Sequence, residues 1–317
     1  MTRARGKAVR HARVRALAKL NLDLRVLGKR SDGYHELRTI FQTISLGDTL
    51  DIAFTPGRKT SIELRDPLAI PDNLVVRAAC LALESMGAAG RVEITLAKRI
   101  PMGAGLGGGS SDAAAVLLAL PALAGKKLAL AEMCRLGQQL GSDVPFFLLG
   151  GTAVGIGRGT EVFPLPDGPA RWGVLVAPDV HVSTAQAYRD LGPHLTMELQ
   201  ENKIFTFQCQ SWAAPGSGAA ENDFETVVLE QQGRLAALKR RLTRAGARPA
   251  LMTGSGSALF GLFAEREQAD RALEAFRDER VFPISLVSRA RYRSMWWRAL
   301  GAHMERRLWP PQSRYVR

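Results

Sequence analysis

From Lys19 the chain alternates strictly. Leu20, Leu22, Leu24 and Val26 are apolar, and Lys19, Asn21, Asp23 and Arg25 are polar. A period of two predicts a strand with one buried face and sets Lys19 and Asn21 side by side on the polar face. A turn over 28–33 follows, then two further strands over 37–46 and 49–54. Asp72 predicts the cap of a helix running through Val75, Ala79, Leu83 and Met86 and ended by Gly87. A strand over 91–97 leads into a glycine-rich run, a helix over 111–124 and a second helix over 131–140. Strands near 151–156 and 173–177 come next. Residues 191–220, rich in Pro, Gly and Ser, read as an irregular insertion or lid. The second half reads as a helix over 222–246, a short strand into Thr253-Gly254-Ser255-Gly256-Ser257, a strand over 258–263, a helix over 265–278 and a strand over 281–287. Strand, turn, strand, helix, strand is an α+β pattern.

The chain has 317 residues, 46% of them hydrophobic, enough for one large domain or two. Its net charge of +13 invites a nucleic-acid reading until it is located. Residues 1–15 hold six basic residues and no acid; residues 289–317 hold eight arginines and one acid, Glu305. These ends account for the whole excess, so the body between them is neutral and no nucleic acid is expected for the core. Residues 1–15 read as a basic, solvated arm and 289–317 as a basic extension with a terminal helix near 293–307 around Tyr292, Trp296 and Trp297. Cys80, Cys134 and Cys209 show no metal or redox spacing; Cys80 and Cys134 fall in helical patterns and read as buried thiols. Together with the lack of an apolar leader segment or a membrane-length apolar run, this implies a cytoplasmic location.

The run PMGAGLGGGSSDAAAVL, Pro101 to Leu117, concentrates the chemistry. Glycine backbone running into a helix N-terminus presents bare N–H groups along the helix dipole, which is an anion site, with phosphate the natural occupant. Ser110, Ser111 and Asp112 are helix-capping types at its end. Gly103, Gly105 and Gly108 also satisfy the dinucleotide fingerprint G-x-G-x-x-G, but Lys98, Arg99 and Pro101 separate the loop from its strand, and no Gly-Lys-Ser/Thr follows to make a Walker loop. By itself the loop could serve a nicotinamide dinucleotide, a nucleoside triphosphate, or nothing but a linker. Asp143, between Gly141 and Pro145, sits in a sterically fixed corner and reads equally as a helix cap or as a functional acid.

Three separated segments, AKLNL (18–22), PMGAGLGGGSSDAA (101–114) and LMTGSGSALFGLF (251–263), resemble the three motifs of the GHMP kinases. GKRSDGYHEL (28–37), DNLVVRAA (72–79), GSDVPFF (141–147) and ENDFE (221–225) narrow the resemblance. They point to the branch that phosphorylates the 2-hydroxyl of 4-diphosphocytidyl-2-C-methyl-D-erythritol in the non-mevalonate route to isoprenoids. The resemblance covers about residues 16–288. It implies an α+β GHMP kinase fold: an N-terminal domain like ribosomal protein S5 domain 2 over 16–165 and a ferredoxin-like C-terminal domain over 166–288. In such a fold the dinucleotide-fingerprint match is incidental.

The resemblance further implies ATP, with Mg²⁺ held mainly by phosphate oxygens and water; no carboxylate cage is visible and the metal ligands stay unassigned. Pro101, Met102, Gly103, Ala104, Gly105, Leu106, Gly107, Gly108, Gly109, Ser110 and Ser111 would carry the phosphates, and Asn73 and Lys98 would lie near the adenine. Lys19 and Asp143 match the catalytic pair, Asp143 as base and Lys19 as its countercharge and phosphoryl stabiliser. Asn21 would orient the acceptor, Tyr34 and Tyr188 would sandwich a cytosine ring, His35 would read its edge, and Thr184 is a further substrate contact. The alternatives are another small-molecule kinase of the family, of homoserine or mevalonate type, a Rossmann NAD oxidoreductase, or a nucleic-acid-binding protein using the basic ends. The first offers no base for Tyr34, His35 and Tyr188 to hold. The oligomeric state is not legible.

Overall fold

A computed structural model describes residues 8–195, 207 and 220–316. The alternating segment belongs to a longer strand than its pattern predicts. Strand β1, Arg10–Lys29, pairs antiparallel along its length with β2, His35–Pro56. The two strands expected over 37–46 and 49–54 are therefore one. Its register against β1 slips between Leu17 and Lys19, which absorbs the irregular stretch before Gly47. The other edge of β2 is shared by β4, Gly90–Ala97, over Thr49–Pro56 and by β5, Thr152–Gly157, over Leu37–Gln42. β3, Ser61–Arg65, lies parallel outside β4, and β6, Glu161–Pro164, flanks β5. Four helices complete this half: α1, Leu74–Ser85; α2, Gly108–Ala124; α3, Leu130–Leu140; and α4, Val144–Leu149. From Ser111 to Leu123 every residue of α2 is buried, as a helix of alanine and leucine all round must be. It packs on β1, β2, α1 and α4.

The second half is a four-stranded antiparallel sheet in the order β10-β7-β9-β8, from β7 (Trp172–Val176), β8 (Ala250–Met252), β9 (Leu259–Phe263) and β10 (Val281–Ser285). Between β7 and β8 lie α5, Thr184–Leu191, and the helices Glu225–Gln231 and Gly233–Arg244; Arg266–Glu274 precedes β10. This is the ferredoxin-like βαββαβ order. The expected helix over 222–246 is broken at Gln232. Most of the lid expected over 191–220, and Cys209 with it, falls outside the described residues.

Four further expectations change. β1 has two buried faces, not one: Lys19, Asn21, Asp23 and Arg25 are as enclosed as the leucines between them. The leucine face joins the junction between the halves with Leu106, Leu175 and Phe260. On the polar face Asp23 Oδ1 accepts from Glu221 N–H at 2.9 Å, and the free edge of the strand meets the C-terminal half, where Leu24 N–H donates to Glu221 O at 2.8 Å and Asp223 N–H to Leu24 O at 3.0 Å. There Arg25 donates to Asp23 at 3.0 Å, and burial pushes the Asp23 carboxyl up to about 6 against that pull.

Second, Asn73 and not Asp72 caps α1, its Oδ1 accepting from Val75 N–H at 3.0 Å. Ser110, Ser111 and Asp112 do not cap α2, because its N-cap is Gly107; Ser111 Oγ instead donates to Leu17 O at 2.7 Å. Third, Cys80 is exposed on the outer face of α1 and Cys134 is half-buried, since the inward positions of α1 are Val75, Ala78, Ala79, Ala82 and Leu83.

Fourth, the described residues 10–15 of the N-terminal basic end are not a solvated arm. Residues 10–15 are strand, with Ala12 and Val14 in the core opposite 50–54. The C-terminal helix is Arg289–Ala299, earlier than expected, and Tyr292 and Trp296 are buried against the N-terminal half. Deleting residues 1–15 is accordingly expected to cost at least ~2 kcal/mol, seen as a fall in Tm of about 5 °C. A Tm equal to that of the full chain would restore the solvated-arm reading.

Candidate active site

β1 brings Lys19 to the junction of the two halves. Its N–H donates to Leu106 O at 3.1 Å, fastening the glycine-rich loop to the strand. Its Nζ donates to Asn21 Oδ1 at 2.6 Å and stands 3.6 Å from Asp143 Oδ2. The Lys19 side chain is 4% exposed and that of Asp143 29%, so the pair meets at the wall of an open cleft. Burial pushes the Lys19 ammonium below its ordinary pKa, and Asp143 pulls the other way. Asp143 holds the N-cap position of α4 yet makes no capping hydrogen bond, which removes the helix-cap reading left open above.

Asn21 is a junction. Its Oδ1 accepts from Lys19 and from Gly254 N–H at 2.9 Å, and its Nδ2 donates to Thr39 Oγ1 at 2.8 Å. Asn222 Nδ2 donates to Met252 O at 2.9 Å and Gly254 O at 2.8 Å, holding the Thr253–Gly254 turn from the far side. Sequence reasoning quoted both segments, TGSG and ENDFE, without giving them a task. Their task is to hold the C-terminal half against Lys19 and the loop.

Two pockets meet here. One, of about 980 Å³, is lined by Lys19, Asn21, Asp143, Tyr34, His35, Thr184 and Tyr188. The other, of about 410 Å³, is lined by Asn73, Lys98, Met102, Gly103 and the loop through Ser110. Gly105, Gly107 and Ser110 line both. Gly103, Gly105 and Gly107 all have positive φ, and α2 begins directly after them.

Under the loop, Lys98 Nζ donates to Asp48 at 2.5 Å and Asp112 at 2.8 Å, so its ammonium is committed to an ion triad in the floor of the second pocket. Burial raises Asp112 to about 7 against the pull of Lys98, and its Oδ1 is buried without a partner. Asn73 stands at the pocket rim, its Nδ2 on Asp66 Oδ2 at 3.1 Å.

The sandwich expected of Tyr34 and Tyr188 is built differently. The ring stacked on Tyr188 is that of His35, with centroids 4.5 Å apart and planes 21° off parallel. Phe224 meets Tyr188 edge-on. Tyr34 is 54% exposed, and the Arg158 guanidinium lies 4.4 Å from its ring centre. Neighbours at a strand start point opposite ways, so only one of Tyr34 and His35 faces Tyr188. Burial and Lys29 lower the His35 pKa, and burial raises Tyr188 to about 12, leaving both neutral at pH 7. Thr184 Oγ1 and Ser255 Oγ share a hydrogen bond of 2.7 Å in the lining of the larger pocket. No sequence signal pointed to Arg158.

The model for the GHMP kinases N terminal domain matches residues 73–151, and that for GHMP kinases C terminal matches 206–280. The chain is 64% identical over 310 residues to a 4-diphosphocytidyl-2-C-methyl-D-erythritol kinase of Solibacter usitatus, covering 96% of this chain and 98% of the relative. A protein of the same name from Moorella thermoacetica is 43% identical, over 86% of this chain and 97% of the relative. A crystal structure of a 4-(cytidine 5'-diphospho)-2C-methyl-D-erythritol kinase superposes with a TM-score of 0.72 at 39% identity, covering 86% of this chain and 98% of that one. A homoserine kinase from Cytophaga hutchinsonii shares the fold at 19% identity and a TM-score of 0.67.

Proposed function

The chain belongs to the 4-diphosphocytidyl-2-C-methyl-D-erythritol kinase family within the GHMP kinases, and we propose that it transfers the γ-phosphoryl group of ATP to the 2-hydroxyl of 4-diphosphocytidyl-2-C-methyl-D-erythritol, a step of isoprenoid biosynthesis. The observation that carries the reading is the pair of pockets sharing Gly105, Gly107 and Ser110, with Lys19 and Asp143 on one side of the shared rim. A donor and an acceptor bound in the two would meet there. The oxidoreductase reading loses its support, because the glycine loop belongs to a GHMP kinase domain.

In this reading ATP occupies the pocket of Asn73 and Lys98, with its phosphates on the loop amides from Gly103 to Ser111. Lys98 acts by holding Asp48 and Asp112 in the floor. The acceptor occupies the larger pocket. Asp143 accepts the proton of its 2-hydroxyl, and Lys19, 3.6 Å from Asp143 Oδ2, offsets charge on the transferring group. Asn21 fixes the Lys19 ammonium, and Thr184 contacts the acceptor. The cytosine stacks on Tyr188, where the His35 ring now stands, so base binding moves His35 to the edge of the base while Tyr34 closes the exposed side.

Mg²⁺ is a further part of the proposal. Among the described residues no group of three His, Cys, Asp or Glu side chains is arranged to hold a metal ion, and the ion proposed here is held mainly by phosphate oxygens and water. The unpartnered Asp112 Oδ1 and the Ser110 hydroxyl are the side-chain oxygens at the loop that fit it. When bound it would neutralise charge on the β- and γ-phosphates. No described helix is long and apolar enough to cross a membrane, and a cytoplasmic setting is part of the same proposal.

An ATP-consumption assay over a panel of acceptors tests the substrate. Turnover is expected with the cytidine-diphosphate-linked methylerythritol and not with homoserine or mevalonate. In the same assay Tyr188→Ala should raise the acceptor KM about 10–100-fold and leave the KM for ATP unchanged, the worth of one stacked base. Preference for an acceptor without a base would overturn the assignment.

A further inference from the structure

The two basic ends, unexplained by the family motifs, come together on the far side of the N-terminal half. Residues after 280 lie beyond both family models. Yet the C-terminal extension bonds the carbonyls that end α4. Tyr292 OH donates to Phe147 O at 2.5 Å, Trp309 Nε1 to Leu148 O at 3.0 Å, and Arg289 Nε to Gly150 O at 3.2 Å. The end of α2 is treated alike. Arg10 Nη1 donates to Leu123 O at 2.7 Å and Ser313 Oγ to Ala122 O at 2.8 Å. The last carbonyls of a helix have no partner within it, and here both helices take theirs from the chain termini.

The glycines that cap these helices are shaped for the same contacts. Gly150 has φ +67°, and a Cβ on it would lie 2.3 Å from Tyr292 Cδ1. Gly125 has φ +75°, and its Cβ would lie 2.9 Å from Arg10 Nη1. Arg10 in turn lies 4.0 Å from the ring centre of Tyr315. The ends thus form one clamp.

Both clamped helices have their other ends in the active site. α2 starts at the glycine loop, and α4 starts at Asp143. A six-residue helix has almost no stability of its own, so its position is set by what binds its end. We propose that Tyr292 and Trp309 are positioning residues that place Asp143 through α4, and that Arg10 and Ser313 place the phosphate loop through α2. This rests on the reading of Asp143 as the base.

The test compares variants that keep the packing. Tyr292→Phe/Trp309→Phe removes two donors to α4 and keeps an aromatic ring at each position, the loss of indole area at Trp309 being matched in the control below. It should lower kcat at least about tenfold with both KM values within about twofold, since a small misplacement of a reacting group costs rate more than binding. Amide exchange in 144–150 should quicken. Arg10→Met/Ser313→Ala should instead raise the KM for ATP about fivefold or more. Trp297→Phe is the control, because it removes an indole bond inside the extension, to Leu308 O at 3.0 Å, and should leave kcat unchanged.

An equal loss of kcat in Trp297→Phe, or the same kcat and KM change in both double variants, would show general destabilisation and overturn the clamp. Unchanged kcat and exchange in the Tyr292/Trp309 variant would do the same. If Asp143→Asn keeps full rate, the base assignment fails instead, and the exchange rates still report whether the extension holds α4.

Discussion

Asp143→Asn is expected to lower kcat by about 10³-fold or more, with ATP affinity and Tm close to those of the unchanged protein. The amide keeps the size of the carboxylate but cannot take the acceptor's proton. The fold loses little, because Asp143 makes no capping hydrogen bond at the start of α4. Lys19 is damaged at the same time. It is buried, and its depressed pKa is held up by the Asp143 charge 3.6 Å away. Without that charge its proton leaves more easily, so the alkaline limb of any residual activity should move to lower pH. Single-turnover rates across pH, alongside ATP titration, measure both effects. A variant with near-normal kcat would remove Asp143 from the chemistry.

Gly105→Ala should be the most damaging single substitution in the loop. At φ +77° an alanine is strained by about 1–2 kcal/mol. Its Cβ would also stand 2.1 Å from Thr253 O, a backbone atom that cannot turn aside. The loop is bonded on both its strand side and its turn side: Leu106 O accepts from Lys19 N–H at 3.1 Å, Ala104 O from Ala258 N–H at 3.3 Å, and Gly105 O from Thr253 Oγ1 at 3.3 Å. Relief therefore requires the loop to leave β1 or the C-terminal turn to leave the loop. Either change opens the rim shared by the two pockets. A fall in kcat/KM of at least about 100-fold and a stability loss above ~2 kcal/mol are expected. Gly103→Ala is the internal comparison. It has φ +64° but nothing within 4 Å of the added Cβ, so it should show the backbone strain alone. Equal effects at the two positions would mean that contact with the C-terminal half is unimportant to the loop.

Local pattern made much of the fold legible. Period two found the centre of β1 and β4, and the apolar run after Gly107 found α2, because the apolar faces these elements bury are spelled out in their own sequences. Caps were read less well. Asp72 and Ser110 are good capping types, but the backbone turns one residue later at Asn73 and three residues earlier at Gly107, where geometry outweighs side-chain preference. The join of 37–46 to 49–54 was hidden because the strand is continuous only through its pairing with β1. The basic ends misled most. Arg10, Arg13 and Arg15 carry the charge of an arm, while Ala12 and Val14, too few to announce a strand, fit a core built by distant residues.

By itself, the sequence determined the α+β class, the glycine loop with its helix, and, through motif resemblance, a kinase family and its candidate pair, Lys19 and Asp143. Those features reside in local backbone demands and in residue types at fixed spacing. Only the tertiary structure decided that Asp143 is no helix cap, that Lys98 is bound within a buried triad, that His35 and not Tyr34 lies on Tyr188, and that both termini grip the helices of the site. Each of these depends on which surfaces meet across 50 or more residues of chain or on which way adjacent side chains turn. A one-dimensional pattern carries no record of either.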